Sequence, residues 1–112
     1  FDYEDYLHNY PLLNTSLPFL MAVNRREFFA IGGYDEDFIG FAYDDNDLIS
    51  RLSKNGCRLC LTQAQTIHLY HPRHDDDYVQ SPEMKLNQSL YRDRENQVVR
   101  NIGRNWGSIE NE

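Results

Sequence analysis

Gly32-Gly33-Tyr34-Asp35-Glu36-Asp37-Phe38, then Asp44-Asp45-Asn46-Asp47 and the run Leu48-Ile49-Ser50-Arg51-Leu52, form the stretch around which this chain is organised. Asn24 and Glu27 make a capping-box pattern for a short helix, with Val23 and Phe28 placed as its hydrophobic staple. The glycine pair ends that helix by admitting a left-handed conformation that side chains disfavour. An aromatic, acidic loop follows from Tyr34 to Tyr43, with Phe38, Ile39 and Phe41 expected to pack it down. A second helix is predicted from Asp44 or Asp45 to about Asn55, stopped by Gly56.

The aspartates of that second helix separate by spacing. Acids in a first turn are stabilised by unpaired N–H groups and the helix dipole, by about 0.3–1 kcal/mol each when exposed. This accounts for all three without any function. Asp47 stands four residues before Arg51, the spacing of an ion pair on the solvent side. Asp45 stands three, four and seven residues before Leu48, Ile49 and Leu52, and so is expected to share the buried face. A carboxylate there is costly unless it caps, pairs or reacts.

Working outward, the 112 residues suit one domain, 1–112, large enough to bury a core, and 13% aromatics offset a modest apolar share of 40%. The start at Phe1-Asp2-Tyr3 suggests a piece of something larger. No apolar run is long enough for a membrane span. The net charge of −7 is concentrated early: ten acids precede Leu48 against Arg25 and Arg26 alone. That balance disfavours nucleic acid and suits a cation, or a ligand bridged by one; a solubilising surface also explains it, and is the preferred reading for the acids before His8.

The strand signals are short. Residues 17–23 form a nearly continuous apolar run, and Cys57-Arg58-Leu59-Cys60-Leu61 and Thr66 to Tyr70 read as two further strands. Strand spacing sends Cys57 and Cys60 to opposite faces, which favours a structural role over a metal or redox one. A reducing setting is compatible with these two thiols, and the location expected is cytoplasmic, with parts outside this sequence able to place it at a membrane periphery. His68, His71 and His74 with Asp75-Asp76-Asp77 offer ligands for a divalent ion, or a solvated surface. Ser81-Pro82-Glu83 opens a helical tail, 81–112, in which Leu86, Leu90, Val98, Val99 and Ile102 are expected along one side of a helix broken near Asp93. Trp106, between Gly103 and Gly107, is expected in a loose end. The fold class expected is α/β, short strands with flanking helices, in a sheet completed elsewhere.

In order and spacing, Ala22-Val23-Asn24-Arg25-Arg26-Glu27-Phe28, Gly32-Gly33-Tyr34-Asp35-Glu36, Asp44-Asp45-Asn46-Asp47-Leu48 with Arg51-Leu52, Gly56 and His68-Leu69-Tyr70-His71 form one set. The set resembles the C-terminal half of inverting, family 2-like glycosyltransferases of the GT-A fold, of the galactosyltransferase and chondroitin-synthase type. It covers about residues 17–74. The resemblance implies a nucleotide-diphosphate sugar donor, a carbohydrate acceptor and Mn²⁺ or Mg²⁺. Asp45 matches the general base, Asp44 the acid beside it that contacts acceptor, and Tyr43 and Gly33 belong to the acceptor side. His68 or His71 matches the metal ligand.

Two departures stand out. Such enzymes usually carry glycine before the acidic pair, where this chain has Phe41-Ala42-Tyr43, and their first acid is usually glutamate rather than Asp44. The nucleotide-binding half with its Asp-x-Asp motif is not recognisable here, so these residues alone are expected not to transfer sugar. The rival readings are a non-catalytic module that binds carbohydrate or protein through the Tyr34–Tyr43 loop, and a metal-dependent hydrolase built on His68, His71 and Asp75 to Asp77.

Overall fold

A computed structural model describes residues 2, 4, 5, 20–63, 67, 69 and 81–107. Three helices with fully described bounds organise the described residues: α1 (Arg25–Ala30), α2 (Asp44–Lys54) and α3 (Pro82–Asp93), with α3 lying against α2. Their ends follow local chemistry. Asn24 caps α1, its side-chain oxygen accepting from the Arg26 amide at 2.8 Å. At the other end Gly32 and Gly33, at φ +78° and +67°, donate to the Phe29 and Phe28 carbonyls, both at 3.0 Å. That paired closure is a Schellman motif, and it recurs where Gly56 and Cys57 donate to Ser53 and Leu52 after α2. Ser81 caps α3 by accepting from the Met84 amide, with Pro82 in the first turn.

The expected α/β class is overturned, because the described residues are helices and connecting segments without a strand. A strand exists only when a neighbouring backbone takes up its N–H and C=O groups, and an apolar run cannot supply that neighbour. Cys57 to Leu61 finds none among the described residues, and Leu61 is 90% exposed. Leu20 to Val23 likewise form no ladder, and of the third expected strand only Ile67 and Leu69 are described, both exposed. α3 ends at Asp93, at the expected break, and beyond it Val99 and Ile102 face outward, Ile102 at 82% exposure.

Among the described residues the buried apolar cluster is Ile31, Leu48 and Leu52, flanked by Met21, Phe28, Cys57 and Val98. Burying a side chain of this size contributes about 1.5–3 kcal/mol. Beside it lie six buried polar or charged residues, Asp35, Asp47, Arg51, Asn87, Arg100 and Asn101. The charges among them cancel, two acids against two arginines. Every buried side-chain N or O atom among the described residues has a hydrogen-bond partner. Packing among the described residues is therefore as much a polar network as an apolar one.

Asp47 and Arg51 are the largest correction to the surface expected of α2. They do pair at 2.8 Å across one helical turn, but their side chains are only 2% and 1% exposed. The reason lies in the far reach of Arg51. Its Nη1 donates to the Ile31 carbonyl at 2.9 Å and its Nη2 to the Gly33 carbonyl at 2.7 Å, so α2 clamps the C-terminal turn of α1. Asp47 is held from its other side by Arg100 at 2.9 Å.

Residues 94–107 then wrap this clamp. Arg100 bridges Asp47 and Asp35, and Arg94 also reaches Asp35 at 2.8 Å. Asn101 donates to the carbonyls of Gly32 and Tyr34 and accepts from the Glu36 amide. Trp106 is not loose. Its ring lies against Phe29 at 5.2 Å and Phe28 at 6.1 Å, and covers Gly33 so closely that a Cβ there would sit 2.5 Å from the indole.

Candidate functional site

The candidate site is the first turn of α2 with the loop leading into it. That loop is held by one side chain of α3 rather than by its own aromatics. Asn87 Nδ2 donates to the carbonyls of Ile39, Phe41 and Ala42 at 3.0, 2.9 and 3.2 Å. Phe38 is half-buried, but Ile39 and Phe41 are exposed, contrary to the expectation that all three pack inward. Ala42 and Tyr43 both adopt left-handed backbone, at φ +80° and +69°. Tyr43 is the N-cap of α2 yet makes no side-chain cap bond. Two consecutive side-chain-bearing residues in this region cost about 1–2 kcal/mol each. The turn needs the backbone that glycine adopts freely, and Asn87 holds it without glycine.

Asp44 and Asp45 open the helix from that turn, both half-buried. At about 100° per residue the buried stripe of Asp47, Leu48, Arg51 and Leu52 is centred on the Arg51 side, which leaves Asp45 at its edge rather than within it. Asp45 is nonetheless engaged. The Tyr34 hydroxyl donates to its Oδ1 at 2.9 Å. Burial first, then the hydrogen bond to Asp45 and the charges of Asp45 and Asp44, push the Tyr34 phenol up to about 12. Tyr34 is therefore a protonated donor throughout the neutral range.

The remaining sequence-derived site residues divide. Tyr43 sets its ring against Tyr91 at 5.6 Å, so α3 fixes it. Gly33 is buried under Trp106 and its carbonyl is taken by Arg51. His68 and His71 lie outside the described residues, as do His74 and Asp75 to Asp77. Among the described residues no group of three or more His, Cys, Asp or Glu side chains could hold a metal ion. Cys57 and Cys60 are free, the first half-buried beside the core and the second exposed. Glu27 completes no capping box; its carboxylate is the acceptor of a long 3.9 Å contact from Cys57 Sγ.

Asp35, in the same loop, is structural. Burial would raise its carboxyl, but the Asp37 amide and the Arg94 and Arg100 guanidiniums outweigh that and hold it below the ordinary carboxylate range. Asp37 is lowered as well, by hydrogen bonds from Arg94 and Arg104. No spacing rule points to these partners, which lie about sixty residues away along the chain.

The family model described as the N-terminal domain of galactosyltransferase matches residues 13–75, more than half of the chain. The chain belongs to that family. This galactosyltransferase-type domain thus carries Asp44, Asp45, Tyr34 and the clamp of Asp47 and Arg51 within the matched span. The family description names an N-terminal domain, whereas the resemblance implied a C-terminal half; both point to a galactosyltransferase-type glycosyltransferase domain. No curated protein and no solved structure matches the chain. A sugar donor and an acceptor are the partners the family implies. No helix among the described residues is long and apolar enough to cross a membrane.

Proposed function

We propose that this domain forms the acceptor side of an inverting glycosyltransferase, C-terminal to the part that holds the nucleotide-diphosphate sugar, and that Asp45 is its general base. The observation that carries the reading is the state of Asp45. It is half-buried in the first turn of α2, Oδ1 is held by Tyr34, and Oδ2 has no hydrogen bond among the described residues. Its partner is neither an arginine nor a backbone cap, which would have favoured a purely structural or binding role.

In this mechanism Oδ2 takes the proton of the acceptor hydroxyl while the hydroxyl oxygen bonds to the anomeric carbon. The bond from that carbon to the donor diphosphate breaks, and its electron pair leaves with the diphosphate. The requirement on the base is reach, about 2.6–3.2 Å from the hydroxyl. Asp44 and Tyr43 contact the acceptor sugar, while Gly33 shapes the floor beneath Trp106. Among the described residues no group of three or more His, Cys, Asp or Glu side chains is assembled, and the candidate ligands His68 and His71 lie outside them. A Mn²⁺ or Mg²⁺ ion neutralising the diphosphate, with His68 or His71 as a ligand, belongs to the proposal on the resemblance alone.

In the intact enzyme, Asp45→Asn keeps the shape of the turn and removes the base. Transfer from UDP-galactose should fall by about 10²–10⁴-fold while donor binding persists. Retained turnover would refute the assignment. Loss of activity on chelation, restored by Mn²⁺, tests the metal separately.

A further inference from the structure

We infer that Tyr34 is the positioning residue of this site, its hydroxyl fixing Oδ1 of Asp45 so that Oδ2 alone is presented to the acceptor hydroxyl. This rests on the reading of Asp45 as the base.

A carboxylate at the start of a helix turns about its side-chain bonds and can fold back onto the free amides of the first turn. The 2.9 Å bond from Tyr34 opposes that rotation. Tyr34 is suited to hold position because it is itself held. Its carbonyl accepts from Asn101 Nδ2 at 2.6 Å, and Asn101 also donates to the Gly32 carbonyl at 2.8 Å. The phenol ring meets Phe28 edge to face at 6.1 Å, and Phe28 meets Trp106 in the same manner. A continuous path of contacts thus runs from residues 101–106 through Tyr34 to Asp45. About 40% of Tyr34 remains exposed, so the pair faces accessible space rather than the closed core. Tyr34 lies in neither the first turn of α2 nor its helical face, and no other described hydrogen bond links the loop after Gly33 to the Asp45 carboxylate.

The proton balance is unchanged by Tyr34. The proton leaves the acceptor hydroxyl for Oδ2, and the phenol keeps its own. What Tyr34 supplies is orientation, and misplacing a reacting group by about 1 Å can cost on the order of 100-fold.

The test is steady-state kinetics of the intact enzyme with UDP-galactose as donor and soluble monosaccharides as acceptors. Tyr34→Phe retains the ring and its packing and removes only the hydroxyl. It should lower kcat by about tenfold or more with the acceptor KM and the melting temperature little changed. In an Asp45→Asn background Tyr34→Phe should add no further loss, because the group it orients is gone. Full kcat in Tyr34→Phe, alongside an inactive Asp45→Asn, overturns this inference and leaves the proposed base standing. A fall in kcat accompanied by a clear fall in melting temperature also overturns it, by assigning Tyr34 a structural role. Failure of the wild-type enzyme to glycosylate any acceptor overturns the transferase reading itself. A readout independent of turnover is the phenol titration, followed by NMR of labelled tyrosine on this chain. Asp45→Asn should move Tyr34 down from about 12, and no movement would show that the contact is absent in solution.

Discussion

Single residues in this domain are constrained by what lies opposite them. Gly32 illustrates it: a Cβ there would fall 2.1 Å from the Arg100 carbonyl oxygen, and its φ is +78°. Gly56 shares the left-handed conformation, at φ +96°, but faces open space. Gly32→Ala should therefore cost at least about 2 kcal/mol in urea unfolding, while Gly56→Ala costs about 1. Equal effects would mean that the Arg100 carbonyl gives way. The need for glycine after α1 was legible in the chain as a helix stop. The close approach was not, because Arg100 is 68 positions away.

At the scale of elements, the loop into α2 and the clamp behind it carry the site. Ala42 at φ +80° occupies backbone better suited to glycine. Ala42→Gly should raise stability by up to about 1 kcal/mol without moving Asp45, as read by denaturation with activity as control. Destabilisation would show that the turn gains more from a restricted unfolded chain than it loses to strain. Arg51 gives the opposite sign. As a solvent pair with Asp47 it would be worth about 0–1 kcal/mol. Buried, with the Ile31 and Gly33 carbonyls also depending on it, Arg51→Ala should cost about 3–5 kcal/mol. A loss under 1 kcal/mol would return the pair to the surface. Heptad-like spacing reports which residues share a face, and it misassigned this one because the stripe is half charged.

Across the whole molecule, acid stability follows from Asp35 and Asp37, whose carboxyls are held below their ordinary values by Arg94, Arg100 and Arg104 together with backbone. A carboxyl with a depressed folded pKa stabilises the fold above its unfolded value and loses that contribution as pH falls through the folded one. Stability should be flat from neutrality to about pH 5 and drop below about pH 4. Thermal melts at fixed ionic strength check it. A melting temperature that rises on acidification to pH 3 would contradict the network. The same network joins distant parts of the described residues, among which three apolar side chains are buried: arginines from residues 94–104 close onto acids from residues 35–47.

The amino-acid sequence by itself determined the three helices and their ends, because Asn24, Gly32-Gly33, the acids at Asp44, Gly56 and Ser81-Pro82 act within one or two turns of where they stand. It also singled out Asp44 and Asp45 at the head of α2. Only the tertiary structure decided that Asp47 and Arg51 are buried, that Asn87 holds a strained turn, that Trp106 closes over Gly33 and that Tyr34 reaches Asp45. These depend on partners 11 to 73 positions apart. A local pattern can signal the readiness of a segment to be a strand or a buried face; whether it becomes one depends on what the folded chain brings against it.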